Sequence, residues 1–192
     1  MTIRNTLLRV GFAVGLILGT GFGVHAGNKI LGEVRFEGWT KAEKLAGVWI
    51  DGQYVGYLGE LKGSKKLLLM PGEHEVVFRQ SGYIDVPYKF SLQPGERYTI
   101  KVLMDRDPKA VYPDQTATVK LRVSPNRAGV FVDGVFAGHV DEFDGPGQAL
   151  LVGPGKHQIE IALPGYRPFR TEVNLLPGQD FKIETNLFQA PA

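Results

Sequence analysis

The side chains that could carry out acid–base or nucleophilic chemistry are few and are not arranged for it. Three histidines follow residue 26, at His74, His139 and His157, and none has the spacing of metal ligands. No serine lies in a Gly-x-Ser-x-Gly elbow, and no phosphate-binding glycine loop is present. The chain has no cysteine, which removes thiol catalysis, disulfides and thiolate metal sites. The sequence therefore predicts a protein that is not an enzyme and that has no metal or cofactor.

Most of the chain is an internal repeat. Residues 46–56 and 128–138 agree at six of eleven positions, and each segment contains an Asp-Gly pair. The turn residues that follow also match: Pro71-Gly72 with Pro154-Gly155, Gly82-Tyr83 with Gly165-Tyr166, and Pro94-Gly95 with Pro177-Gly178. So many turn residues in register indicate a duplication. We expect a first module at 27–107, a linker at 108–113, a second module at 114–188 and a tail at 189–192.

Each repeat has the pattern of a β-sandwich. Short runs that alternate apolar and polar residues, such as 119–123 and 157–161, are typical of half-buried strands. Roughly seven such runs per repeat, separated by Pro-Gly and Asp-Gly turns, predict an all-β fold of two tandem antiparallel sandwiches. After residue 26 the sequence shows no helical periodicity apart from a turn near Thr40–Leu45.

Aromatic residues occupy the hairpin of each repeat. A two-residue Asp-Gly turn places Trp49 opposite Tyr54, and Phe131 opposite Phe136. Such cross-strand pairs stabilise a hairpin by about 0.2–1 kcal/mol. Two interpretations remain open: the rings belong to the core, or they form a platform that stacks on a sugar or a peptide. Because the other face of each hairpin is also apolar, either face can fill the core.

The loop after each hairpin carries opposite charge in the two repeats. The first loop contains Lys62, Lys65 and Lys66, and the second contains Asp141, Glu142 and Asp144. If these groups pair within one molecule, they fix the angle between the modules. If they pair between molecules, they give weak self-association, because exposed ion pairs contribute only about 0–1 kcal/mol each. The remaining alternative is two independent solvated loops.

The N-terminal residues 1–26 resemble a signal peptide. Arg4 and Arg9 precede an apolar run at 10–22, and Val24-His25-Ala26 suits cleavage after Ala26. A retained membrane anchor is the alternative, because a glycine recurs every fourth residue from 11 to 23. Without Arg4 and Arg9 the 22 basic residues fall to 20, equal to the 20 acidic ones. A neutral mature chain gives no support for nucleic-acid binding.

The second repeat resembles the PEGA domain family. The resemblance lies in Pro125-Asn126-Arg127-Ala128, in Val130 to Gly134, and in the glycines at 138, 155 and 165. The first repeat resembles it from about Leu45 but lacks the proline. The resemblance implies a small sandwich of bacterial and archaeal envelope proteins with no established catalytic residues. We therefore expect an exported adaptor or scaffold, in the periplasm or at the cell surface, that acts through protein–protein contacts. A carbohydrate-binding module that uses the hairpin aromatics is the alternative.

Overall fold

The computed structural model describes residues 30–191, so the predicted signal peptide lies outside the described residues. The first module contains seven strands: β1 (Gly32–Glu37), β2 (Gly47–Ile50), β3 (Gln53–Tyr57), β4 (Leu67–Leu69), β5 (Gly72–Arg79), β6 (Val86–Leu92) and β7 (Arg97–Lys101). They form a three-stranded sheet, β4-β1-β7, and a four-stranded sheet, β3-β2-β5-β6. Within 30–191 no helix is both long and apolar enough to cross a membrane.

The second module repeats this arrangement strand for strand. Its strands are β8 (Ala117–Ser124), β9 (Gly129–Val132), β10 (Val135–His139), β11 (Leu150–Val152), β12 (Gly155–Ala162), β13 (Phe169–Leu175) and β14 (Asp180–Asn186). The sheets are β11-β8-β14 and β10-β9-β12-β13, which is the order of the first module. The all-β fold and the seven strands per repeat are confirmed.

One strand pair in each module is parallel, which the antiparallel prediction missed. β1 runs parallel to β7, and β8 runs parallel to β14. The reason is that each strand runs opposite to the strand before it along the chain. Paired strands one or three positions apart along the chain have opposite directions, whereas β7 lies six positions after β1. Once the first and last strands become neighbours in one sheet, they must pair in parallel.

The hairpin turns have the predicted geometry. Asp51 and Gly52 have φ values of 49° and 82°, and Asp133 and Gly134 have 51° and 80°. Two positive φ angles in succession define a type I′ turn. The register places Trp49 opposite Tyr54 in the first hairpin, and the equivalent aromatic residues pair in the second.

Each sandwich has its own core. In the first module Val48, Val76 and Phe78 are fully buried, and in the second Leu121 and Ile159 are fully buried. Full burial of such a side chain stabilises the fold by about 1.5–3 kcal/mol. The hairpins therefore fill the core with their aliphatic faces, and their aromatic faces point away from it.

The first module also contains a short helix, α1 (Lys41–Leu45), where the sequence indicated a turn. Thr40 caps it: its hydroxyl accepts a hydrogen bond from the Glu43 amide, and the Glu43 carboxylate accepts one from the Thr40 amide. This reciprocal capping box satisfies two amides that a helix start otherwise leaves unpaired.

Candidate functional site

The four hairpin aromatics meet in one cluster between the two modules. Within the hairpins, the ring centroids of Trp49 and Tyr54 are 5.1 Å apart, and those of Phe131 and Phe136 are 5.6 Å apart. Across the modules, Trp49 lies 5.2 Å from Phe136, and Tyr54 lies 5.8 Å from Phe131, both edge-on. Edge-to-face aromatic pairs contribute about 0.5–1.5 kcal/mol beyond the area they bury. The sequence-predicted aromatic residues therefore form an interface between modules.

The burial of the hairpin aromatics determines whether a ligand can reach them. Val48 and Ile50 point into the first core, so the alternation of the strand turns Trp49 outward. The second module then covers Trp49, which is only 7% exposed, and the first module leaves Phe136 only 6% exposed. A large aromatic face that points away from the core is favourable in water only when another surface packs against it. The rings pack against each other, mostly edge to face, and do not form an open sugar platform in this arrangement.

Two glycines allow the modules to approach closely. A Cβ atom at Gly47 would lie 2.8 Å from the ring of Phe136, and one at Gly129 would lie 2.9 Å from the ring of Tyr54. Gly47 and Gly129 hold equivalent positions, and so do Tyr54 and Phe136. Each module thus receives the other's aromatic ring over its own glycine. Such reciprocal contact is the property of a twofold, isologous interface.

Tyr57 and His139 lie on the axis of this pseudo-twofold arrangement. They are equivalent residues, each the last of its hairpin. Their rings stack with centroids 3.9 Å apart and planes at 9°. A residue that contacts its own equivalent marks the axis between two copies, so the duplicated modules pair as a pseudo-symmetric dimer inside one chain.

Carboxylates surround the buried end of this stack. His139 is fully buried, with Asp141 2.9 Å from its Nε2 atom and Glu142 2.9 Å from its Nδ1 atom. His139 also caps the short 3-10 turn that follows it: its side chain accepts from the Glu142 amide, and the Glu142 carboxylate accepts from the His139 amide at 3.1 Å. Burial raises the pKa of the Asp141 carboxyl. Asp144, the third carboxylate of the loop, lines a shallow groove of the second module.

Within residues 30–191, one ion pair joins the modules. Arg127 of the second module lies 3.6 Å from Glu60 of the first, whose side chain is only 5% exposed. Lys65 approaches the same carboxylate at 3.2 Å from within the first module. Glu60 therefore has one cation from each module, and the Arg127 side chain, which is 26% exposed, supplies the contact across the interface. Neither Arg127 nor Glu60 was among the sequence-predicted site residues.

The two interface tyrosines are hard to ionise. Burial raises the pKa of Tyr57 to about 12, with further contributions from the nearby charges of Asp141, Glu60 and Glu142. Burial, followed by the charge of Glu60, also raises the pKa of Tyr54. Both phenols are therefore neutral at neutral pH.

The charged loops make other contacts than the pairing considered from sequence. Lys65 pairs with Glu60, and Lys66 lies 3.6 Å from Glu33. Lys62 lines two grooves of the first module. Within residues 30–191, no ion pair joins these lysines to the carboxylates of the second loop. Self-association through these loops stays a prediction.

Two further histidines support the hairpin turns. His74 Nδ1 lies 2.7 Å from the Asp51 carboxylate, and its Nε2 donates to the Met70 carbonyl at 2.8 Å. His157 Nδ1 lies 2.7 Å from the Asp133 carboxylate. A repeated histidine–aspartate contact at the same turn serves the fold. Within the described residues, no cluster of three possible metal ligands is present.

An exposed aromatic in the first module escaped the sequence reasoning. Trp39 is 57% exposed, and its backbone amide donates to the Glu43 carboxylate at 2.6 Å. Lys44 and Lys62 line the same groove. The Thr40-x-x-Glu43 motif could have revealed this site, because a capping box fixes the residue before it.

Comparisons with known proteins agree with the sequence resemblance. The PEGA domain family matches residues 116–191, which is the second module. This family is non-catalytic and occurs in extracellular or cell-envelope proteins. No curated protein matches the chain. Among solved structures the chain is similar to the Bacillus anthracis TIE protein, with 15% identity and a TM-score of 0.30. That match covers 83% of this chain but only 34% of the other protein's chain.

Proposed function

We propose that this protein is an exported, non-enzymatic adaptor of the cell envelope, in the periplasm or at the cell surface. In this proposal both modules are PEGA-type sandwiches, and the first is a diverged copy of the second. The observation that supports the proposal best is the aromatic interface. It buries the hairpin face of each module, so the two sandwiches form one unit. The outer sheets of this unit remain available to partners.

The outer edges of this unit offer two unlike surfaces. β7 and β14 are edge strands at equivalent places in the two modules. β7 carries Arg97 and Lys101, whereas β14 carries Asp180 and Glu184 at the matching positions, with Lys182 between them paired to Glu184. An exposed edge strand can pair with an extended segment of another protein, and its charges select among partners. Opposite charges on equivalent edges favour two different partners, which suits an adaptor.

Matched charge reversals test this proposal. Arg97→Asp with Lys101→Glu reverses one edge, and Asp180→Arg with Glu184→Lys reverses the other. We expect each double variant to lose a different cross-linked envelope protein and to retain the one captured by the other edge. Retention of every cross-linked species by both variants would contradict partner binding at the edges.

Carbohydrate binding is the second proposal, and Trp39 is the observation that favours it. An exposed indole next to Lys44 and Lys62 suits an acidic sugar, since the ring can stack on a sugar face and the ammonium groups attract carboxylates. The chain has two tryptophans, and Trp49 is buried, so Trp49→Phe leaves Trp39 as the only indole reporter. We expect an anionic polysaccharide to change its fluorescence saturably, whereas a neutral polysaccharide should not. A flat titration with both would exclude this site.

A further inference from the structure

The two modules contribute unequally to the charge of their interface. The second module supplies Arg127, which reaches Glu60 of the first module at 3.6 Å. In the reverse direction, the residue equivalent to Arg127 is Leu45, and the residue equivalent to Glu60 is Glu142. Leucine offers no cation, so Glu142 receives none from the first module. The second module thus carries both halves of the ion pair, and the first carries only one.

This inequality determines which module can pair with a copy of itself. If the twofold operation places one second module on another, Arg127 of each copy faces Glu142 of the other. The ion pair seen once in the chain would then form twice. If two first modules were paired in the same way, two buried Glu60 carboxylates would each face a leucine. Each Glu60 would keep Lys65 of its own module but would lose the cation that now reaches it across the interface, so this pairing would form no ion pair between the copies.

The aromatic contacts also permit pairing of two second modules. Gly129 already receives the ring of Tyr54, and Phe136 is the equivalent ring without the hydroxyl. Phe136 of one copy can therefore occupy the space over Gly129 of the other. In such a pair Phe136 takes the place that Tyr54 has in the chain. The buried Tyr54 hydroxyl, which has no hydrogen-bond partner, is then absent from the contact.

We infer that the hairpin face of the second module, formed by Arg127, Gly129, Phe131, Phe136, His139 and Glu142, is self-complementary and binds the second module of another copy of this chain. The first module occupies this face within the chain and competes with the second copy. Displacement of the first module therefore converts a closed monomer into a dimer joined through two second modules. This inference does not rest on the proposed adaptor function.

The full chain can test this inference once the first module is displaced. Gly47→Glu places a charged side chain where Phe136 now sits. Gly47 does not have a positive φ, so the backbone conformation accepts a side chain, and the Trp49 ring of the same module, 2.8 Å from the added Cβ, must shift. We expect the unmodified chain to sediment as a monomer and the Gly47→Glu chain to form a dimer at tens of micromolar. Adding Gly129→Glu blocks the second face as well and should restore the monomer.

A second displacing variant protects the test against misfolding. Trp49→Ala with Tyr54→Ala removes the aromatic contacts of the first module without adding charge, and it should also dimerise. Far-ultraviolet circular dichroism checks that the strands of each variant are retained. Folded but monomeric protein for both displacing variants would overturn the inference. A dimer that persists after Gly129→Glu would overturn it too, because the contact would then use another surface.

Discussion

Tyr57 and His139 hold the same position in two copies of one module, and their rings stack on each other at 3.9 Å. The hairpin aromatics and the paired glycines are arranged around this contact in reciprocal fashion. A chain that duplicates a module and pairs the two copies through equivalent surfaces has placed a twofold dimer inside one polypeptide.

The buried aromatic interface should couple the two modules thermodynamically. Trp49→Ala removes a ring that is 7% exposed, and truncation of a buried tryptophan costs about 3–5 kcal/mol. We expect calorimetry to show two separate unfolding transitions in the variant where the unmodified chain shows one. Leu151→Ala is the matched control, because Leu151 is 65% exposed. A single unshifted transition in Trp49→Ala would argue against coupling.

The turn glycines should resist substitution because of their backbone conformation. Gly52 and Gly134 have φ values of 82° and 80°, and no atom lies within 4 Å of a Cβ added at either position. Any loss of stability in Gly134→Val or Gly52→Val therefore reports strain and not collision. We expect a loss of more than about 1 kcal/mol in thermal melts of each variant. Gly134→Asn should lose less, since asparagine tolerates the left-handed region.

The second hairpin turn should weaken in acid. The hydrogen bond from His157, together with one from the Gln158 amide, lowers the pKa of Asp133 below its usual value of 3.8. A lowered folded-state pKa stabilises the fold above pH 3.8, and this stabilisation disappears as the pH falls through the lowered value. Asp133→Asn should therefore flatten the loss of stability below about pH 4. Parallel acid profiles for variant and unmodified chain would contradict this assignment.

The interface should open in alkali. Because the pKa of Tyr57 is raised from 10.0 to about 12, the folded state holds the phenol neutral. Its stabilisation is complete below pH 10 and is lost as the pH rises toward 12. Tyr57→Phe cannot ionise, so its modules should stay coupled to higher pH when unfolding is followed by fluorescence. Equal alkaline midpoints for the two chains would show that Tyr57 is not the group responsible.

The mature N-terminus is expected at Gly27. The n-region, apolar run and small residues before position 27 predict removal of 1–26 during export. Intact-mass measurement of the envelope fraction checks this. Recovery of the full-length mass from that fraction would favour the retained anchor.

Local sequence was sufficient for the features whose cause is local. The Asp-Gly turns were predictable because only residues that tolerate positive φ can form them, and the strands because side chains alternate with a period of two. The repeat itself was readable from turn residues in register. The sequence indicated a turn at Thr40–Leu45, and the structure has a short capped helix there.

Tertiary structure alone decided which hairpin face fills the core. Both faces are apolar, so the pattern of residues could not choose between a buried aromatic face and an exposed one. The second module made the choice by covering the rings of the first, and it brought Arg127 to Glu60. The parallel pairing of β1 with β7 arose in the same way, because the neighbour of a strand depends on the path of the whole chain. Contacts between residues far apart in sequence depend on assembly, and a single sequence does not encode them in any local pattern.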